Sequence, residues 1–170
     1  MKIPLKIPLD SPEPHVAICR VRHLRPSDLR RVVALDELIT GRERRGYFEH
    51  KLQTNLLDSS VEVSLGAEVD GILVGFLLAR VWTGEFGATE PVAVLDTLGV
   101  QPAFQHQGVG DALLDQLVTN LRGLAVYALR TEVAWDGFEL LRFFHRHGFR
   151  PAPRVCLDLD LVPQASELER

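Results

Sequence analysis

Cysteine is scarce in this chain, long apolar runs are missing, and neither sign of charge dominates, so several broad protein classes fall away at once. The two cysteines, Cys19 and Cys156, sit in separate strand-like stretches, and nothing in the sequence pairs them. Both read as reduced core residues, not as a disulfide or a metal site. No apolar run approaches the ~20 residues that a membrane span requires. The start, Met1-Lys2-Ile3-Pro4-Leu5-Lys6-Ile7-Pro8, is broken by prolines and lacks the apolar centre of a secretory signal. Net charge is only −4, which removes the strongly basic surface by which proteins hold nucleic acid. No close group of His, Cys and Asp has metal-ligand spacing, and His145-x-His147 alone is too sparse for zinc. The expectation is a cytoplasmic protein with no metal, no membrane partner and no nucleic acid.

What is present fits one core. The chain has 170 residues, enough for one domain and too few for two comfortable ones. Residues 1–15 carry four of the ten prolines and read as an extended arm. Residues 16–162 read as a single domain and 163–170 as a tail. A strand over 16–22 precedes a helix capped by Ser27 and running to Leu38, with Leu29, Val32, Val33, Leu35 and Leu38 on its apolar stripe. A second, more polar helix spans 42–57. Strands over 61–69 and 72–82 flank Asp70-Gly71, a two-residue hairpin signal. A loop over 83–91 leads into a buried strand over 92–100. A helix over 108–122 carries Val109, Leu113, Leu117 and Leu121 on one stripe, a strand covers 129–133, and Asp136 caps a last helix that Gly148 ends. Residues 149–150 and 155–161 close the sheet. The fold class is α/β: a mixed, mostly antiparallel sheet of six to seven strands flanked by four helices.

The chemistry concentrates in Val100-Gln101-Pro102-Ala103-Phe104-Gln105-His106-Gln107-Gly108-Val109-Gly110-Asp111. A buried strand ends, a short loop turns, and a helix opens at glycines. The first N–H groups of a helix have no internal partner, and the aligned peptide dipoles make that end positive. Without side chains at Gly108 and Gly110, an anion can approach those amides, which suits a diphosphate. No Lys-Ser or Lys-Thr follows as in a P-loop, and Leu113 breaks a G-x-G-x-x-G dinucleotide pattern.

Gln105-x-x-Gly108-x-Gly110 resembles the Q/R-x-x-G-x-G/A motif of the GNAT superfamily of N-acetyltransferases. Four further segments resemble that family in order: Ile18-x-Arg20 with Arg25-Pro26-x-Asp28, Leu73-Val74-Gly75-Phe76, Leu98-Gly99-Val100-x-Pro102, and Arg146-His147-Gly148-Phe149. Together they cover residues 17–161. The resemblance implies acetyl transfer from acetyl-CoA to a primary amine of a small molecule, peptide or protein, by direct attack, without an acyl-enzyme or a metal, in a chain that is often a homodimer. It implies that coenzyme A lies between the fourth and fifth strands. Leu98, Gly99 and Val100 would then meet the thioester and pantetheine. Gln105, His106, Gln107, Gly108, Val109, Gly110 and Asp111 would surround the pyrophosphate, and Phe144 would lie against the cofactor.

For the amine's proton the candidate is Asp96, a carboxylate in an otherwise apolar strand, costly there unless bonded or used. Strand alternation places it on the face of Val94, Leu98 and Val100; the competing reading is an aspartate satisfied by backbone or by Thr97. Many members of the family carry a tyrosine four residues before the Gly of the Gly-Phe pair, where it protonates the leaving thiolate. This chain has Phe144 there, and Gly137 where the family's helix usually begins with Asn. Tyr47, one of two tyrosines, is either a surface aromatic or a substitute acid. Arg42-Glu43-Arg44-Arg45 reads as a solvated helix face, Glu132 as outward, and His145 and His147 as surface residues. Trp82, Glu85, Phe86 and Glu90 suit a loop facing the acceptor. Because Phe144 has no proton to give, the alternative is a binding module that senses acyl-CoA without turnover.

Overall fold

The computed structural model describes residues 19–53, 63–83 and 89–159, which fall into two units, one ending at Glu132 and one beginning at Val133. In the first unit, strands β1 (Cys19–His23), β2 (Leu65–Val69), β3 (Ile72–Trp82), β4 (Val92–Val100) and β5 (Leu129–Thr131) form one sheet in chain order. The first three pairings are antiparallel, and β4–β5 is parallel. Parallel neighbours need a crossover, and helix α3 (Val109–Gly123) supplies it. Helices α1 (Leu29–Thr40) and α2 (Arg45–Leu52) lie between β1 and β2 in the chain.

The hairpin forms where expected. Asp70 and Gly71 have φ of 51° and 76°, and Val69 pairs with Ile72, the two left-handed residues of a turn whose twist matches its strands. β3 is apolar on both sides because both are covered. Phe76 and Leu78 join Leu24, Val32, Val33, Leu35, Phe48 and Leu52 beneath α1 and α2. On the other side a Cβ at Gly75 would come 3.0 Å from Val109 and 3.3 Å from Leu113. The missing side chain lets the first turns of α3 approach the sheet. Val109, Leu113, Leu117 and Leu121 are all buried, as the stripe predicts.

The entry to α1 differs from expectation. Ser27 does not cap it. A short turn at Pro26–Asp28 precedes the helix, and the Asp28 carboxylate accepts the Arg25 amide at 2.8 Å and the Arg22 guanidinium at 2.7 and 3.0 Å. A carboxylate that also pairs with an arginine outcompetes a serine hydroxyl for this place. Arg22 further holds Glu68 of β2 at 2.7 Å, tying the helix start to two strands. The stripe also shifts: Leu38 is 59% exposed, while Asp36 is 3% exposed. Asp36 can face inward because Arg44 returns to it with two charge-assisted bonds, Nε at 2.8 Å. That return keeps 42–44 out of helix, so α2 starts at Arg45 rather than 42. The expected residues 54–57 of this helix, residues 16–18 of the first strand and 61–62 of the second lie outside the described residues.

In the second unit, α4 (Phe138–Arg146) begins after Gly137, and the Asp136 side chain does not cap it. The other end explains why glycine and phenylalanine stand together. Gly148, at φ 85°, donates to His145 O at 3.1 Å, and Phe149 donates to Phe144 O at 3.0 Å. The Phe149 ring packs on Phe144 at 5.0 Å, completing a Schellman stop with its apolar contact. No strand forms at 149–150 or 155–159, so the sheet has five strands among the described residues, not six or seven; 160–161 lie outside them. Val155, Leu157 and Leu159 are 83%, 86% and 82% exposed, and Cys156 is exposed rather than a core residue. Alternation records which face a strand could bury, but a strand exists only where its N–H and C=O groups find a ladder. Cys19 is half-buried, and burial pushes its thiol upward.

The Arg22–Asp28 pair has a consequence for stability. Burial acts upward on Asp28, yet the Arg22 hydrogen bonds and the Arg25 amide hold its carboxyl below the ordinary value of 3.8. A carboxyl lower in the folded than in the unfolded chain stabilises the fold fully above its unfolded value. That stabilisation is lost as pH falls through the lower folded value. Urea unfolding midpoints should therefore drop as pH falls below about 4, and Asp28→Asn should remove part of that slope while lowering the midpoint at neutral pH.

Candidate active site

β4 is paired on both sides for only part of its length. Against β5 the ladder covers Ala93, Val94 and Leu95 and ends at Leu95↔Thr131, where the Thr131 hydroxyl also donates to Leu95 O at 3.0 Å. From residue 96 to 100, β4 keeps β3 on one side and has no strand on the other among the described residues. The result is an opening in the β4–β5 ladder, with its closed end at Asp96.

The β3–β4 register shifts at the same level. Leu78 pairs with Thr97 and Ala79 with Leu95, so Asp96 is an extra, unpaired residue, a β-bulge. The bulge corrects the expected placement of Asp96. Leu98 and Val100 stand opposite Leu77 and Gly75, on the α3 face. The inserted residue breaks the period of two, and the Asp96 carboxylate lies instead with α2. There Lys51 Nζ meets Oδ1 at 3.1 Å and Arg80 Nη2 meets the same atom at 3.3 Å. The Asp96 side chain is 10% exposed. Its second oxygen, Oδ2, is buried with no hydrogen-bond partner among the described residues, and so is Arg80 Nε. Thr97, the partner in the competing reading of Asp96, pairs its hydroxyl with Tyr47 at 3.2 Å.

Lys51 and Arg80 were not singled out by sequence reasoning. A signal for one exists: Arg80 and Asp96 are isolated opposite charges in two apolar strands joined by a single loop. Lys51 carried none, since lysines on polar helices are ordinary. Arg44 of the supposed solvated run is committed to Asp36, and that hydrogen bond, against an opposing burial effect, raises its guanidinium further. Arg42 and Glu43 are exposed, as is Glu132.

At the open end, Pro102–Phe104 forms a single helical turn and α3 begins after Gly108. Gly108 has φ 84° and is the last residue before the helix; a Cβ there would meet nothing within 4 Å, so the space above it is open. The first intrahelical bond runs from Ala112 N–H to Gly108 O at 2.9 Å. The amides of Val109 and Gly110 ahead of it therefore have no helical partner. Gln105, His106, Gln107 and Gly108 are exposed, Val109 is buried, and Gly110 and Asp111 are half-buried in the first turn. His106 also has positive φ, 59°. Gln105 Nε2 donates to Val100 O at 3.0 Å and Gln107 Nε2 to Ala103 O at 2.8 Å, so both glutamines brace the loop from within. Gly99 is buried opposite Phe76. In the second unit Phe144 is buried between Phe143 and Phe149. His147 Nδ1 lies 2.9 Å from Phe143 O, and His145 lies beside Arg150. Glu85 and Phe86 fall outside the described residues, while Trp82 is 37% exposed and stacks on Arg80 at 4.7 Å.

The described residues of the first unit thus form an antiparallel sheet that turns parallel at β4–β5, with a bulged β4 and a glycine-led helix after it. A sequence model described as the acetyltransferase (GNAT) family matches residues 31–149, and the chain belongs to that family. It is 27% identical over 159 residues to mycothiol acetyltransferase of Propionibacterium freudenreichii subsp. shermanii, covering 85% of this chain and 48% of that protein. The chain thus spans about half the length of that curated relative. Among solved structures it is similar to aminoglycoside N-acetyltransferase AAC(6')-Iy in complex with CoA, at TM-score 0.73 and 16% identity over 88% of this chain and 99% of that one. It is similar at TM-score 0.68 and 20% identity to ribosomal-protein-alanine N-acetyltransferase of Brucella melitensis biovar Abortus 2308, over 85% and 100% of the two chains. A transcriptional regulator of Bacillus halodurans C-125 matches at TM-score 0.71 and 17% identity, again over 85% and 100%. These likenesses establish the fold.

Gly108 gives the direct test of the helix start. Gly108→Val places a branched side chain in the open space and a β-branched residue at a left-handed φ, which costs roughly 1–2 kcal/mol. The variant should lose coenzyme A affinity by about 10-fold or more, the equivalent of one good anion contact of ~1.4 kcal/mol, with a modest fall in Tm. Calorimetry on the folded variant showing unchanged affinity would remove this loop from the binding site.

Proposed function

We propose that the chain transfers an acetyl group from acetyl-CoA to a primary amine of a small molecule, peptide or protein by direct attack in a ternary complex. The residues present suit the cosubstrate. The α3 start offers backbone amides and the helix dipole to a diphosphate, with no side chain in the way at Gly108. Gln105, His106, Gln107, Val109, Gly110 and Asp111 complete that end. The unpaired edge of β4 at Leu98, Gly99 and Val100 offers backbone groups to an extended pantetheine, as an added strand would be held. The thioester supplies an activated acyl group; the protein supplies position and a route for protons. The similar structures named for aminoglycosides and for a ribosomal-protein alanine agree with an amine acceptor.

The observation that carries the reading is Asp96 at the closed end of the opening. Lys51 and Arg80 both engage Oδ1, and Oδ2 is left buried without a partner. A buried acceptor left unbonded costs free energy, and an arriving ammonium group satisfies it. Asp96 then takes one proton from that ammonium, directly or through one water, which frees the nitrogen lone pair to attack. No bond between enzyme and acyl group is required, and no metal.

Asp96→Asn keeps the shape and removes the basicity. The acyl-transfer rate should fall by roughly 10²–10⁴-fold, with coenzyme A affinity nearly unchanged and partial rescue at higher pH, where more amine arrives neutral. Lys51 and Arg80 lose their counter-charge, so Tm should also fall, by roughly 2–6 °C. Turnover per folded molecule equal to the parent's would end the catalytic role. Chelators should leave thiol release from acetyl-CoA intact; activity that disappears with EDTA and returns with zinc would contradict the metal-free mechanism.

A further inference from the structure

Phe144, where the family resemblance implies a tyrosine, has no proton to give, and α2 carries a phenol at the sheet. Tyr47 Oη lies 3.2 Å from Thr97 Oγ1, and either can donate. Thr97 is the residue after the bulge, so the phenol stands level with the closed end of the β4–β5 opening. An acyl group carried along β4 from the α3 start must stop there, because from Leu95 backward β5 fills the edge. Tyr47 is held but not sealed: it is 37% exposed and edge-on to Phe48 at 5.0 Å. The Arg44 guanidinium stands 5.3 Å and Lys51 Nζ 5.7 Å from its ring centre. Each cation is fixed in turn, Arg44 by Asp36 of α1 and Lys51 by Asp96 of β4.

We infer that Tyr47 protonates the leaving thiolate, a role resting on the acetyl-transfer reading above. The amine, neutral once Asp96 has taken a proton from its ammonium, forms its bond to the acyl carbon, and the nitrogen loses its second proton to solvent. The carbon–sulfur bond breaks, its electron pair stays on sulfur, and sulfur takes the proton from Tyr47 Oη. The Thr97 hydroxyl then turns to donate to the phenolic oxygen, and Lys51 and Arg44 face the charge left there. Solvent reaches the half-exposed ring and returns the proton. The Arg44–Asp36 and Lys51–Asp96 pairs thereby fix the ring as well as α2.

The test is steady-state thiol release by the full chain with a working amine acceptor. Tyr47→Phe keeps the ring, its packing and its cation contacts, and removes only the hydroxyl. The expected result is a fall in kcat of about 10²-fold with KM for acetyl-CoA within about twofold, since no binding contact to the cosubstrate is removed. Fluorinated tyrosines placed at position 47 should change kcat in step with the acidity of the phenol, which a tyrosine that only packs would not do. Unchanged kcat in Tyr47→Phe, or a loss in Tyr47→Phe without any dependence on phenol acidity, overturns the role of Tyr47 and leaves acetyl transfer standing. A parent protein that binds coenzyme A and releases no thiol with any amine overturns the acetyl-transfer reading, and the role of Tyr47 with it.

Discussion

One extra residue in β4 governs the candidate site. Without it, Asp96 would pair across to β3, face α3 with Leu98 and Val100, and continue a regular strand. With it, the carboxylate turns to the α2 side, where Lys51 and Arg80 meet it. At the same level the parallel ladder with β5 stops. Bulges bend the strand that carries them and re-aim a side chain; here the bend coincides with an opening and the re-aimed side chain is the one charged residue within β4.

The charges around this point form linked pairs, not a diffuse surface. Asp36 is buried and takes Arg44; Asp96 is nearly buried and takes Lys51 and Arg80. Between them sits Tyr47, with a cation from each pair near its ring. Removing one member of a pair leaves its partner's charge uncompensated in partly dry surroundings. On the proposed mechanism stability and chemistry are therefore coupled here, and a loss of turnover in any of these variants has meaning only beside a measured Tm. The glycine-led start of α3 is different. Its amides belong to the backbone, its glutamines brace the loop internally, and the anion binding proposed for it rests on helix geometry alone.

Phe144 has a structural role that its sequence position did not announce. In this chain it is the residue on which Phe149 closes the end of α4. A ring there serves the Schellman contact whether or not it carries a hydroxyl. The fold places a phenol elsewhere, at Tyr47 beside Thr97.

Much of this was legible in the residues. The Asp70-Gly71 turn, the buried stripe of α3, the glycine start after a strand, and the Gly148-Phe149 stop all depend on neighbours within a few positions. Backbone conformation and short-range periodicity decide such features, and both are written locally. Other features were decided by residues far apart in the chain. The bulge at Asp96 exists only because β3 and β4 pair in a particular register. The capture of Glu68 by Arg22 and of Asp96 by Lys51 joins elements that sequence keeps apart, and the alternation at 155–159 made no strand because alternation cannot supply a ladder. Sequence by itself determined where chain direction changes and which faces are apolar. Only the tertiary structure decided which charges meet, because a buried charge is tolerated solely where a distant partner arrives to pair with it.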